Sequence, residues 1–386
     1  MRNSSNRNVI KSKSASMNNA VRKAAVETLE SRLLLSGNPT WQVQSDYFGA
    51  AGGIYSQARS LRGLALSPSG GDVYGGFIQG TGAGTELIRE VNTAIQSTVI
   101  GNEPTPLPGS SSYSAGEDGS VQLAPSTQPK GLAVDSRGDV YATLAAMNPV
   151  STMHWGIYNA SLTTEFIQGT STDLIGPSLL TGIATAQFNG NYYMYLGWQN
   201  GQIERWNVNN PAAPTLDTSW GNSGTISLRA INSSELLNNL ALNTSGDIFV
   251  AGATSAADSH GDALIKVPAA VAASGSLTSM NTSFVSVSGG ADGMGGPGAI
   301  DVALYGGKAY VTEYLASDSA IGVFYQSDLG SAGVLTLPNP TGPSGLNGNY
   351  SVAPTDSGFS GISINSSGKI YVAEQLYNVT TSNSYT

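Results

Sequence analysis

A chain of 386 residues with 48 glycines, 11% charged residues and no cysteine is long enough for a substantial core, and its composition suits short strands joined by turns. Lacking cysteine, it is excluded from disulfides and from thiolate metal sites. Seven of the 17 basic residues fall in the first 32 positions, so the remainder sets 10 basic against 24 acidic residues and offers no stripe to neutralise phosphates; nucleic-acid binding is not expected.

Residues 1–38 read as a basic targeting segment, separate from the fold. Val21, Ala25, Leu29 and Leu33 recur at i, i+4, which predicts a short amphipathic helix over 17–35. The Leu33–Leu35 run is shorter than the apolar core of about 7–15 residues in an ordinary secretory signal. The string Leu29-Glu30-Ser31-Arg32-Leu33-Leu34-Leu35-Ser36 resembles an N-terminal motif of large surface or exported proteins of planctomycete bacteria. That resemblance implies export. No run reaches the roughly 18 apolar residues of a membrane span, so none is expected.

From residue 39 onward a hairpin recurs: Gly63–Phe77, Gly131–Leu144, Gly182–Leu196, Asn239–Gly252, Gly298–Glu313 and Gly361–Glu374. Each pairs two β-branched or aromatic runs across a polar turn. The second strands are expected to end on Tyr74, Tyr141, Tyr193, Phe249, Tyr310 and Tyr371, at intervals of 67, 52, 56, 61 and 61 residues. A self-similar period of this size signals a stacked or radial repeat fold.

Each period has room for two more strands. The third is expected at Glu86–Val91, Trp155–Asn159, Gln202–Val208, Ala263–Val267 and Ile321–Gln326; the fourth at Val121–Ala124, Thr164–Gln168, Thr225–Ala230, Ser283–Ser288 and Gly333–Leu337. Four antiparallel strands per repeat make the blade of a β-propeller. The sixth repeat has room for the start of a third strand and no fourth, while Trp41–Phe48 stands unassigned ahead of the first hairpin. The expected fold is therefore an all-β, six-bladed propeller spanning 39–386, its last blade closed by the strand at 41–48, which hides the sheet edges. Polar loops at Gly101–Ser120, Asn207–Pro214, Gly289–Gly298 and Asn339–Gly348 are expected at the rims, where binding surfaces sit.

The hairpins resemble NHL-type repeats, Gly131–Tyr141 and Gly361–Glu374 best of all. Gly246–Gly252 followed by Gly261–Lys266 also resembles the SBBP repeat of secreted bacterial propellers. These resemblances imply the propeller fold. The acid that commonly ends the second NHL strand is absent from the first four repeats and stands at Glu313 and Glu374 in the last two.

Few residues suit catalysis. His154 and His260 lie in different repeats, and no Gly-x-Ser-x-Gly elbow flanks a helix. Propellers resembling gluconolactonase and regucalcin hold a divalent cation in the central channel with Glu, Asn and Asp. By that resemblance Glu313 and Glu374, at equivalent positions, are the candidate metal ligands, for calcium or another divalent cation. The simpler reading has each bonding backbone amides at a strand end. Asp135, Asn243 and Asn365 open hairpin turns and are expected to bond the backbone two residues on, with Gly138, Gly246 and Gly368 supplying φ > 0. Ala257–Asp262 and Gly289–Gly293 resemble calcium loops faintly but lack the alternating acid spacing. Trp198, Trp206 and Trp220 are expected to pack in the third sheet, a sugar-stacking surface being the alternative. The sequence thus reads as an extracellular or cell-surface propeller that binds a protein or glycan partner, with no cofactor expected. The alternative is a divalent-metal-dependent lactonase-like hydrolase or lyase.

Overall fold

The computed structural model describes residues 59–79, 85–91, 119–122, 127–146, 153–162, 165–171, 179–231, 235–254, 262–278, 282–286, 299–313, 320–336, 357–378 and 383–384. The chain divides into Met1–Val43 and Gln44–Thr386, and every described residue belongs to the second unit. The expected 17–35 helix, the export-like segment and the closing strand at 41–48 lie outside the described residues. So do most of the Gly101–Ser120 loop and all of Gly289–Gly298 and Asn339–Gly348.

The described backbone forms six antiparallel sheets. The first contains β1 (Arg59–Leu66), β2 (Asp72–Gln79), β3 (Thr85–Val91) and β4 (Gly119–Gln122); the second contains β5 (Thr127–Val134), β6 (Val140–Ala146), β7 (Met153–Tyr158) and β8 (Glu165–Ser171). The third holds β9 (Leu180–Phe188), β10 (Asn191–Trp198) and β11 (Gln202–Asn207), with β12 (Thr215–Leu216) and β13 (Thr225–Ser227) both paired to β11. The fourth runs β14 (Glu235–Leu242), β15 (Ile248–Thr254), β16 (Asp262–Val267) and β17 (Ser283–Ser286), with the short helix α1 (Ala269–Ser274) between its last two strands. The fifth is β18 (Ala299–Tyr305), β19 (Lys308–Glu313), β20 (Ala320–Tyr325) and β21 (Ser331–Thr336); the sixth is β22 (Ser357–Ile364), β23 (Ile370–Asn378) and β24 (Asn383–Ser384). The all-β class and the meander order match the expected third and fourth strands to within a few residues. The clearest difference is at Thr225–Ala230, where the strand stops at Ser227 and Leu228–Ala230 turns into a 3-10 helix.

The turns form as their residues dictate. The Oδ1 of Asp135 accepts the N–H groups of Arg137 and Asp139 at 2.9 and 3.1 Å. Asn243 does the same for Ser245 and Asp247, and Asn365 for Ser367 and Lys369. Gly138, Gly246 and Gly368 follow at φ 91, 85 and 84°. The third and fifth hairpins use a different solution. Asn189-Gly190 and Gly306-Gly307 hold positive φ at both central positions, the type I′ turn that suits strand twist.

Two expectations about the aromatics need correction. They stand near the start of the second strand, not its end, because each strand continues past them along its partner. Tyr74 is paired with Ala65, Tyr141 with Ala133 and Phe249 with Ala241. In the third sheet the hairpin is longer, so Tyr195 occupies this register opposite Ala184 and is buried, while Tyr193 is only half-buried. Small residues opposite large rings let the sheets pack, and each ring taken fully from water contributes about 1.5–3 kcal/mol.

The first strands of the sheets meet in cyclic order: β1 against β5, then β9, β14, β18 and β22, and β22 against β1. Each hairpin carries a bulge on or beside that first strand, as at Leu237/Asn239, Ala299/Asp301 and Phe359/Gly361. A bulge bends the strand and breaks its pairing locally, which brings one residue of each first strand against the next sheet.

Candidate functional site

That residue is Gly63, Gly131, Gly182, Asn239, Asp301 or Gly361, two positions before the small residue opposite the ring. At the glycines a side chain would crowd the neighbouring backbone, most severely at Gly131. A Cβ on Gly131 would stand 2.8 Å from the carbonyl oxygen of Thr181, and one on Gly182 would stand 3.1 Å from Cα of Asn239.

The two polar members use the space to bond across sheets. Asn239 Oδ1 accepts from the N–H of Ile183 at 3.2 Å and of Leu240 at 2.9 Å. Its Nδ2 donates to Asp301 Oδ1 at 2.6 Å. Asp301 Oδ1 also accepts the N–H of Val302 at 2.7 Å, and Oδ2 accepts the N–H of Ile362 at 2.9 Å. One line of bonds thus joins the third, fourth, fifth and sixth sheets. Burial pushes the Asp301 carboxyl up to about 7, against the opposing pull of Ile362, Val302 and Asn239. Thr143 and Thr181 extend the line: their hydroxyls donate to the carbonyls of Thr181 and Leu237 at 3.2 and 2.8 Å. Asn238 Nδ2 donates to Ala299 O at 2.7 Å.

Farther out, charged groups bolt one sheet to the next. Arg137 donates to Asp135 Oδ2 from Nε at 2.8 Å, to the Tyr141 hydroxyl at 2.8 Å, and to the carbonyls of Val208 and Asn209 at 3.1 and 3.2 Å. Its guanidinium lies 4.1 Å from the centre of the Tyr192 ring. Burial raises the Tyr141 phenol well above its ordinary value, and the Asp135 charge adds to the rise. Lys266 of the fourth sheet caps the carbonyls of Gln326 and Ser327 beyond β20 of the fifth, at 2.7 and 3.2 Å. Tyr74 of the first sheet donates to Ala160 O, beyond β7 of the second, at 2.8 Å.

The third sheet encloses a carboxylate among tryptophans. Glu204 is 3% exposed; its Oε1 accepts from Trp198 Nε1 and Gln202 Nε2 at 3.1 and 3.0 Å, and its Oε2 from Trp206 Nε1 at 3.0 Å. Beside it, Arg205 holds Asp217 through Nε and Nη2 at 3.0 and 2.6 Å and lies over the rings of Tyr193 and Trp220. Burial alone would raise Asp217, but the Ser219 hydroxyl and Arg205 overcome it and hold the carboxyl below its usual value. Trp198 and Trp220 are buried and Trp206 packs at 5.4 Å from Trp155, as sheet packing predicts.

Glu313 lies at the end of β19 opposite Ala299, and Glu374 lies on β23 opposite Phe359. Each is paired with the residue just before its sheet's bulge, so the equivalence read from the sequence holds in the register. His154 lies on β7 opposite Leu144. The side chains of all three, and His260 altogether, lie outside the described residues, as does Gly289–Gly293. Of Ala257–Asp262 only Asp262 is placed, at the start of β16. Among the described residues no three His, Cys, Asp or Glu side chains gather to hold a metal ion. Asp301 and Asn239 were missed in the sequence. Their signal is an acid and an amide, in Asp301-Val-Ala and Asn239-Leu-Ala, where the other repeats open on glycine, as Gly-Leu-Ala, Gly-Ile-Ala or Gly-Ile-Ser.

No family model and no curated relative matches the chain. Among solved structures it is similar to the hydrazine synthase of Kuenenia stuttgartiensis at 12% identity, covering 88% of this chain and 79% of the other, with a TM-score of 0.46. It is similar to the β-propeller domain of Cps50 (Swd1) of Myceliophteria thermophila at 10% identity, 84% and 81% coverage and a TM-score of 0.38. A protein of unknown function from Bacteroides caccae is similar at 11% identity, 72% and 82% coverage and a TM-score of 0.42. Scores this low carry no functional argument; the propeller architecture rests on the repeated meanders and the cyclic contacts of their first strands.

Proposed function

We propose that the chain is an exported six-bladed propeller, its last blade completed by residues 41–48, that acts outside the cell or at its surface as a binding or scaffold module for a protein or glycan. The observation that carries this reading is the use made of the interior charges. Asp135, Glu204 and Asp301 are all buried, and each is held by framework donors: backbone amides and Arg137, indole and amide N–H groups, or Asn239 with two backbone amides. Asp301 joins the fourth, fifth and sixth sheets, Asp135 holds Arg137 against the third, and Glu204 braces the third sheet from within. Chemistry at a propeller face needs side chains with bonding capacity left for a substrate. Fold alone does not separate enzymes from binding modules. The NHL-like and SBBP-like hairpins and the planctomycete-type export string support the same reading.

A second reading is favoured by one observation. Glu313 and Glu374 share a register position in adjacent sheets, so both side chains are candidates for one divalent cation in a lactonase-like centre. Metal analysis of the full chain, purified without chelator, decides between the two. The scaffold reading predicts no stoichiometric divalent ion, unchanged melting in EDTA and no lactone turnover. A stoichiometric calcium or other divalent ion that is lost in Glu313→Ala or Glu374→Ala would replace it with the second reading.

A further inference from the structure

Three asparagines of the chain stand before a glycine: Asn189, Asn200 and Asn347. Asn347-Gly348 lies outside the described residues. The other two share a dipeptide and differ in their surroundings. Asn200 is 6% exposed, its Oδ1 accepts the N–H of Gln202 at 3.1 Å, and the N–H of Gly201 donates to Trp198 O at 2.8 Å. Asn189 and Gly190 are exposed at the tip of the β9–β10 hairpin. Among the described residues neither the Asn189 carboxamide nor the peptide group between Asn189 and Gly190 has a hydrogen-bond partner. A Cβ on Gly190 would meet nothing within 4 Å, so its nitrogen is open to water.

The turn itself supplies a reactive geometry. Asn189 and Gly190 hold φ 50 and 79°, the type I′ pattern. Rotating the unbonded middle peptide turns type I′ into type II′, which keeps φ positive at the first central residue and sets its ψ at about −120°. At that ψ the nitrogen of the next residue eclipses Cβ of an L residue, within reach of Cγ. Both turns close a two-residue hairpin, so the pairing of Phe188 with Asn191 is kept.

We propose that Asn189 is a site of spontaneous covalent modification, losing its amide through a cyclic imide formed with Gly190. Base takes the Gly190 N–H proton, and the nitrogen bonds to Asn189 Cγ. The Cγ–Nδ2 bond then breaks, and ammonia leaves with the proton returned to it. Water opens the imide: cleavage at Cγ leaves an α-linked aspartate, and cleavage at the backbone carbonyl leaves a β-linked one whose backbone is longer by a carbon. The net change is amide plus water to carboxylate plus ammonium, with no oxidant or reductant. Loop length sets the register of a two-residue hairpin, so the β-linked form alters the tip beside Phe188. That ring lies against the fourth sheet, where a Cβ on Gly246 would stand 3.3 Å from Phe188 Cζ.

Chymotryptic mapping by mass spectrometry of the full chain, held folded at pH 8 and in parallel in urea, tests the site. Cleavage at Tyr192, Tyr193 and Trp198 places Asn189 and Asn200 on separate peptides. In urea the two are expected to lose their amides at similar rates. In the folded chain Asn189 is expected to react at least about tenfold faster than Asn200, which reacts only after its end of β10 opens. The β-linked product, identified by isoaspartyl methylation, is expected at 189 and not at 200. A smaller difference in the folded chain, faster loss at Asn200, or an intact Asn189 while the urea sample reacts would overturn the proposal.

Discussion

The joints between sheets are built in two ways around the molecule. Between the sixth, first and second sheets the crossing points are Gly361 and Gly63. A Cβ there would stand 3.2 Å from the Leu64 N and the Leu132 N respectively, so contact is made by stripping the side chain away. From the third sheet to the sixth, Asn239 and Asp301 stand at the same position and reach across with side-chain bonds. A single position of the repeat thus accepts either no side chain or one that bonds the neighbour. An unbonded side chain satisfies neither condition: it clashes at the first kind of joint and strands donors at the second.

The largest effect is expected at a glycine crossing. Gly131→Val drives a side chain into the Thr181 carbonyl and is expected to cost about 3 kcal/mol or to prevent folding, as read by urea denaturation and soluble yield. Next comes Glu204→Ala, which leaves the indole N–H groups of Trp198 and Trp206 without their acceptor. A loss of about 2 kcal/mol and a change in tryptophan fluorescence are expected. Arg137→Ala removes a bolt that is 25% exposed on its side chain, so about 1 kcal/mol is expected by thermal or urea unfolding. Asn365→Ala, at the edge of this series, removes an exposed turn acceptor for Ser367 and Lys369. A few tenths of a kcal/mol to about 1 kcal/mol is expected, because water replaces part of what the side chain supplied. If Arg137→Ala cost more than Gly131→Val, the outer bolts and not the crossings would be the stronger joints.

The fold was legible because its signal is repeated. Asp135, Asn243 and Asn365 with their glycines three residues on mark hairpins by local backbone chemistry, which needs no knowledge of distant partners. The strands between them follow from alternation and β-branching. Tyr195 escaped because its hairpin is longer than the others, and the aromatic spacing favoured Tyr193. The joints were hard to read for a different reason. The partners of Asp301 come from residues 62 and 61 positions away, Asn239 and Ile362, and the sequence shows only that an acid replaces a glycine. Glu204 was hidden likewise: Gln202-Ile203-Glu204-Arg205-Trp206 reads as an ordinary strand until Trp198 folds back onto it. Glu313 and Glu374 were found through a family pattern, and the register supports their equivalence while their side chains lie outside the described residues.

Whether Asn239 and Asp301 act as one joint is measured directly by a double-mutant cycle. Urea unfolding of wild type, Asn239→Ala, Asp301→Ala and the double variant, all at pH 5, is expected to give a coupling of at least about 1 kcal/mol, the second substitution costing much less once the first is made. Costs that simply add would mean that the two side chains stabilise their sheets separately, and would contradict the cross-sheet joint.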